Sequence, residues 1–104
     1  MTTSGLLRHL VLFTFHPSSN DKAINEVVRS FMDLKGLVPS LIDMEWGPNI
    51  SPENHHQGFT HCFLLSFESL AGLEAYQHHP AHRAFQEVLR PHMDRVFVVD
   101  WGGR

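Results

Sequence analysis

Apolar residues in this chain fall into four short runs of strand period and three stretches of helical period. Leu7 to Phe15 reads as a first strand closed by the turn cluster His16-Pro17-Ser18-Ser19-Asn20. Its odd positions are His9, Val11, Phe13 and Phe15, and its even positions are Leu10, Leu12 and Thr14. Both faces are mainly apolar, so both are expected to be covered. Asn20 or Ser19 can cap a first helix, in which Ile24, Val27, Val28, Phe31 and Leu34 form one apolar stripe. Gly36 is the expected terminator, with Pro39 barring continuation. Leu41 to Trp46 predicts a second strand, followed by a polar connection from Gly47 to Gly58 of a length that suits a lid or rim, or equally a solvated hairpin loop.

Phe59 to Phe67 predicts the third strand, with Phe59, His61, Phe63, Leu65 and Phe67 on one face. Ser69 can cap a second helix running to about Gln77, carrying Leu70, Leu73 and Tyr76. His79-Pro80 breaks it, because the residue before a proline avoids helical space. Pro80 then suits the first turn of a third helix carrying Ala84, Phe85, Val88 and Leu89. Arg95 to Trp101 is the last strand, with Phe97, Val99 and Trp101 against Val96 and Val98.

The order β-α-β-β-α-β is the ferredoxin-like, split-βαβ arrangement. The expectation is one α+β domain over residues 1–104, with a four-stranded antiparallel sheet, helices on one face, and a flexible N terminus over residues 1–6. Strands one, three and four are apolar on both faces, and the chain has no second layer left to cover the far face. A second copy of the same sheet is the economical cover, so the expected assembly is a homodimer, a dimeric α/β barrel.

Composition narrows the class of function. A formal net charge of −3 lacks the basic face that a nucleic-acid binder needs. The apolar runs are far too short to span a bilayer. The polar start Met1-Thr2-Thr3-Ser4-Gly5 has no basic region followed by a long apolar stretch, so no signal peptide is expected. The single cysteine, Cys62, cannot form an internal disulfide, which suits a cytoplasmic protein. No Gly-x-Gly-x-x-Gly or phosphate-binding loop points to a nucleotide, and no cofactor is expected. Nine histidines are the one oddity. They complete no recognisable metal pattern: adjacent histidines on a helix diverge, and no HExxH, CxxC or carboxylate pair stands beside them, so no metal is expected.

Arg8-His9-Leu10-Val11-Leu12-Phe13, Trp46-Gly47, Gly58-Phe59-Thr60-His61 and above all Tyr76-Gln77-His78-His79-Pro80-Ala81-His82 carry a resemblance. From His9 to Trp101 the chain resembles the stress-responsive dimeric α/β-barrel (Dabb) family. The resemblance implies a dimer of back-to-back sheets with a cavity between sheet and helices in each subunit. Its members include a cofactor-free plant polyketide cyclase, in which a histidine acts as base and a tyrosine assists. These match His82 and Tyr76, and further pocket histidines match His9, His61 and His79. A pocket tryptophan of that enzyme corresponds to Met93. Its aromatic-lined first helix is met here by Val27, Val28 and Phe31, so the substrate does not carry over.

The residues themselves allow the same site. Strand parity sets His9, Val11 and Phe13 on one face and His61 and Phe63 on another matching one, with Val28 and Phe31 supplied by the first helix. Met93 and Val96 join them as candidate wall residues. Mostly apolar walls with a few convergent polar groups are the usual form of a small-molecule site. Tyr76 and His82 would diverge by about 120° on a continuous helix, but the break at Pro80 lets them converge. A neutral imidazole can take a proton from carbon between two carbonyls, and a phenol can donate to the enolate oxygen. The expected ligand is a small apolar carbonyl or polyketide-like compound. The same pocket also suits a non-enzymatic stress-responsive protein or a carrier, in which Tyr76 and His82 are structural.

Overall fold

The structure, a computed structural model, describes residues 5–102. Four strands, β1 (Leu7–Phe15), β2 (Asp43–Pro48), β3 (His61–Phe67) and β4 (Met93–Gly102), form one antiparallel sheet in the order β2-β3-β1-β4. Helices α1 (Asp21–Met32), α2 (Leu34–Leu37), α3 (Leu70–His78) and α4 (Pro80–Leu89) make the second layer. This is the ferredoxin-like α+β fold that the element order predicts. The expectation for residues 1–6 lies, for residues 1–4, outside the described residues.

The local reasons follow the sequence closely. Asn20 caps α1, its side-chain oxygen accepting from the Ala23 amide at 2.8 Å. Ser69 caps α3 in the same way through Gly72 N at 3.3 Å. Gly36 does not stop the first helical segment: the chain turns once more through Leu34–Leu37. The stop comes from Pro39, which pushes Val38 into extended backbone at φ −111°, ψ 108°. Strands β2 and β3 each start two residues later than their apolar runs suggest. Leu41 is still in a turn, its amide bonded to Val38 O, and Phe59 folds back onto His56 O.

β1 is the central strand, between β3 and β4. Directly opposed residues share a face, so His9, Val11 and Phe13 lie with Leu65, Phe63 and His61 of β3 and with Asp100, Val98 and Val96 of β4. That face meets the helices. The core is Val27, Phe31, Phe63, Leu65, Phe67, Leu73, Phe85 and their neighbours. Leu70, expected on the inward stripe of α3, is instead exposed at the first turn. The opposite face carries Leu10, Leu12, Cys62, Leu64, Phe97, Val99 and Trp101, and no described element lies over it.

A register shift between Thr14 and Phe15 interrupts the β1–β4 ladder. Arg95 N–H donates to the Thr14 hydroxyl at 2.9 Å, which satisfies the backbone at this bulge. Phe15 then pairs with Met93 where strict alternation would offer Asp94. The bulge therefore brings Met93 to the helix side.

Leu65 is fully buried. Leu65→Ala is expected to lower unfolding stability by about 2–5 kcal/mol, and Asn20→Ala by about 1 kcal/mol. Urea denaturation followed by far-ultraviolet dichroism measures both; equal, small effects would contradict the packing described.

Candidate functional site

The two halves of the second helical unit meet at an elbow. His79 is extended, at φ −69° and ψ 138°, and its ring Nδ1 accepts from the Ala81 amide at 3.0 Å as the cap of α4. Pro80 occupies the first helical position, where its missing N–H costs nothing. Tyr76 lies in the last turn of α3 and His82 in the first turn of α4. Across the elbow their rings approach to 4.3 Å between centroids at an interplanar angle of 39°.

His82 Nδ1 lies 3.2 Å from the backbone oxygen of Gln77. A carbonyl only accepts, so this contact places the proton on Nδ1 and leaves Nε2 with its lone pair free. Burial pushes the His82 pKa down, the bond to Gln77 O pulls it partly back up, and the nearby His9 lowers it again. The imidazole is accordingly neutral at pH 7. Tyr76 is 2% exposed, and burial pushes its phenol pKa up, so it stays protonated and serves only as a neutral donor or acceptor.

Both rings border a cavity of about 340 Å³ between the sheet and helices α1, α3 and α4. This falls within the usual range of small-molecule sites. Of the candidate residues, His9, Val11, Phe13, Phe31, Tyr76, His82, Met93 and Val96 line it. The other four lie elsewhere. Val28 is packed in the core, and Phe63 sits beneath Phe31 at 4.6 Å and Trp46 at 5.7 Å. His61, two residues nearer the strand end than Phe63, stacks on Trp46 at 5.8 Å and bonds Thr60 Oγ1 at 2.7 Å. His79 is spent on capping α4. Strand parity assigned the right face to His61 and Phe63, but the stacked pair Phe31–Phe85, 4.4 Å apart at 13°, closes the cavity on that side.

The wall also includes Gln77, Phe85, Gln86, Leu89, Arg90 and Val98, which the sequence reading did not single out for the site. Asp100 was missed as well. It pairs with His9 across the β1–β4 ladder, its Oδ1 2.5 Å from His9 Nδ1. A lone carboxylate in the apolar run Val96-Phe97-Val98-Val99-Asp100-Trp101 was the available signal. The loop after β2 is no lid to this cavity. Arg95 fastens it to β4, donating to Gln57 O and lying 4.5 Å over the Phe59 ring, and its residues border a separate groove with Leu12 and Phe97 on the uncovered face. Among the described residues no three His, Cys, Asp or Glu side chains gather as a metal site. No helix there is long and apolar enough to cross a membrane.

Residues 7–102 match the model of the stress-responsive A/B barrel domain. The chain belongs to that family. Among its curated relatives in the A/B barrel family is the stress-response A/B barrel domain-containing protein HS1 of Arabidopsis thaliana, 33% identical over 93% of this chain and 89% of that one. Olivetolic acid cyclase of Cannabis sativa is 26% identical over 94% of this chain and 97% of its own. A solved dimeric ferredoxin-like protein from Jannaschia sp. CCS1 superposes with a TM-score of 0.78 at 28% identity, covering 93% of this chain and 98% of that one.

His82 and His61 are both held below the ordinary histidine pKa by burial. A base with a depressed folded-state pKa binds fewer protons folded than unfolded, so stability is present above pH 6.5 and declines as pH falls below it. Thermal melts should therefore drop between about pH 7 and pH 5. His82→Gln should flatten part of that dependence, and an identical slope in the variant would remove His82 from the account.

Proposed function

We propose that the cavity binds an apolar carbonyl compound of polyketide type and promotes its ring closure by proton transfer, without a cofactor. His82 is the base and Tyr76 the hydrogen-bond donor. The observation that carries this reading is the approach of the Tyr76 and His82 rings to 4.3 Å in a mainly apolar cavity. Nε2 of His82 removes a proton from carbon flanked by two carbonyls. The Tyr76 hydroxyl donates to the enolate oxygen as charge grows there. The enolate carbon then attacks a distal ketone of the same chain, which the cavity holds folded against it, and the His82 imidazolium returns its proton to the alkoxide formed. The relationship to olivetolic acid cyclase supports a cyclase of this kind, whereas the likeness to HS1 leaves room for a second reading. In that reading the same cavity carries a ligand without transforming it.

The working unit we propose is a homodimer. Phe97, Val99 and Trp101 are 48%, 41% and 49% exposed on the face that no described element covers. Nε of Arg8, on that same face opposite Trp101, is buried and finds no hydrogen-bond partner among the described residues. A second sheet packed against this face would bury the apolar side chains and can bring an acceptor to Arg8. The solved relative from Jannaschia is dimeric, which supports a dimer here.

Light scattering after size exclusion should give about twice the 11.9 kDa chain mass at micromolar concentration. A well-folded monomer at that concentration would refute the dimer. For the chemistry, a panel of short-chain acyl tetraketides with products followed by mass spectrometry is the direct test. His82→Ala should abolish turnover above the spontaneous background. Tyr76→Phe should leave binding nearly intact and slow the reaction on the order of 10²–10³-fold. The acid limb of the rate profile should fall below pH 6.5, because His82 must be neutral to act. Wild-type protein that binds these compounds but turns none of them over would favour the carrier.

A further inference from the structure

The uncovered sheet face carries a groove at one end, floored by Leu12, Phe59 and Phe97 and rimmed by His55, His56 and Gln57 of the β2–β3 loop. Leu12 and Phe97 are directly opposed in the β1–β4 register, and the Phe59 ring meets Phe97 edge-on at 5.9 Å. A tight turn holds the rim. The His56 ring accepts the Gly58 amide on Nδ1 at 3.0 Å, and the His56 backbone oxygen accepts the Phe59 amide at 3.0 Å. Gln57 and Gly58 both take left-handed backbone, at φ 56° and 85°. Glycine is required at position 58, because a side-chain carbon there would stand 2.7 Å from the Arg95 guanidinium. The turn thus sets the Arg95 cation, which donates to Gln57 O, beside the residue next to the half-buried His56. The other groups around the groove offer little negative charge to offset it. Cys62 of β3, opposed to Leu12, is a thiol whose pKa burial pushes up. Glu53 of the same loop is exposed, and the ion pairs among the described residues involve neither His55 nor His56.

We propose that this groove is part of the contact between two copies of the chain, and that His56 makes the contact acid-sensitive, holding the dimer only while its ring is neutral. The inference rests on the homodimer read from the uncovered face, and it adds how that assembly is regulated. The groove is continuous with the rest of the face, since Phe97 belongs to both. Packed sheets stand about 10 Å apart, so a sheet that covers Phe97, Val99 and Trp101 must also meet the loop that rims Phe97. A two-fold contact uses the same patch on both copies, so each dimer engages two His56 rings. A ring nitrogen that accepts an amide carries no proton. Protonating it removes the acceptor of the turn and sets a second cation near Arg95 in an apolar contact. A ring that takes up a proton only in the monomer binds more protons there, so falling pH favours dissociation. Assembly is therefore strongest above about pH 6.5 and is lost progressively below it.

The test is sedimentation velocity on dilution series of the full chain at pH 7.5 and pH 5.5, with near-ultraviolet dichroism to follow the fold of each sample. The wild-type dimer should be about 100-fold weaker at pH 5.5, about tenfold for each of the two His56 rings kept neutral in it. His56→Asn supplies a side-chain oxygen that can accept the Gly58 amide and gains no proton. Its dimer should differ by less than about threefold between the two pH values. His56→Ala removes the acceptor and should weaken the dimer already at pH 7.5, whereas His55→Gln should keep the wild-type pH dependence. His61 and His82 stay in place in every variant, so a loss of assembly that works through them would persist in His56→Asn. A wild-type dimer equally tight at both pH values, or a His56→Asn dimer that still dissociates in acid, overturns the inference and leaves the dimer standing. A monomer at pH 7.5 refutes the dimer itself and this inference with it.

Discussion

The period of two in β1 is the constraint on which the rest depends. It is the central strand, so each of its faces is a face of the whole sheet. His9, Val11 and Phe13 look toward the helices and are buried, while Leu10 and Leu12 look the other way with nothing described above them. The inward face sets both the core and the cavity, because its three residues continue directly into the cavity wall. The outward face leaves the aromatic side chains of β4 half exposed. One strand thus carries the demand for a ligand-sized space on one side and for a partner on the other. A slip of one residue would exchange the two faces and destroy both.

Two interruptions of regular backbone then shape the cavity wall. Pro80 denies α3 a continuation, and the resulting elbow turns Tyr76 and His82 from divergent directions to ring contact. The bulge at Thr14 shifts the end of β4 by one residue and turns Met93 from the uncovered face into the cavity. At each irregularity a backbone amide finds a side-chain acceptor: the His79 ring accepts the Ala81 amide, and the Thr14 hydroxyl accepts the Arg95 amide. These side-chain acceptors make the two departures from regularity cheap to maintain.

Most of the fold was legible because its signals are local. β1, both N-caps and the break at Pro80 follow from alternation, capping chemistry and proline geometry. The starts of β2 and β3 were not, since Leu41 and Phe59 are as apolar as strand residues but are held in turns by backbone bonds to Val38 and His56. For the cavity, parity could tell which face His61 and Phe63 occupy but not where along the strand the open space ends. That boundary is set by Phe31 meeting Phe85, a contact between two helices remote in sequence. The pairing of His9 with Asp100 was hidden for a related reason. It spans 91 residues and depends on the register of two strands joined only through the whole fold.

The polar groups of the cavity come from three different elements: His9 from β1, Tyr76 from α3 and His82 from α4. Their hydrogen-bonding roles are narrowed by their neighbours, since backbone and carboxylate acceptors engage the two imidazoles and burial holds the phenol neutral. The apolar wall is free of such obligations. Val11, Phe13, Phe31 and Phe85 need only fill space, and volume-conserving changes among such residues cost little stability. Val96 and Val98, 46% and 48% exposed, leave the cavity open along β4, so a bound ligand would itself complete that side of the apolar layer. The polar groups and the shape of the cavity are therefore carried by separable sets of residues.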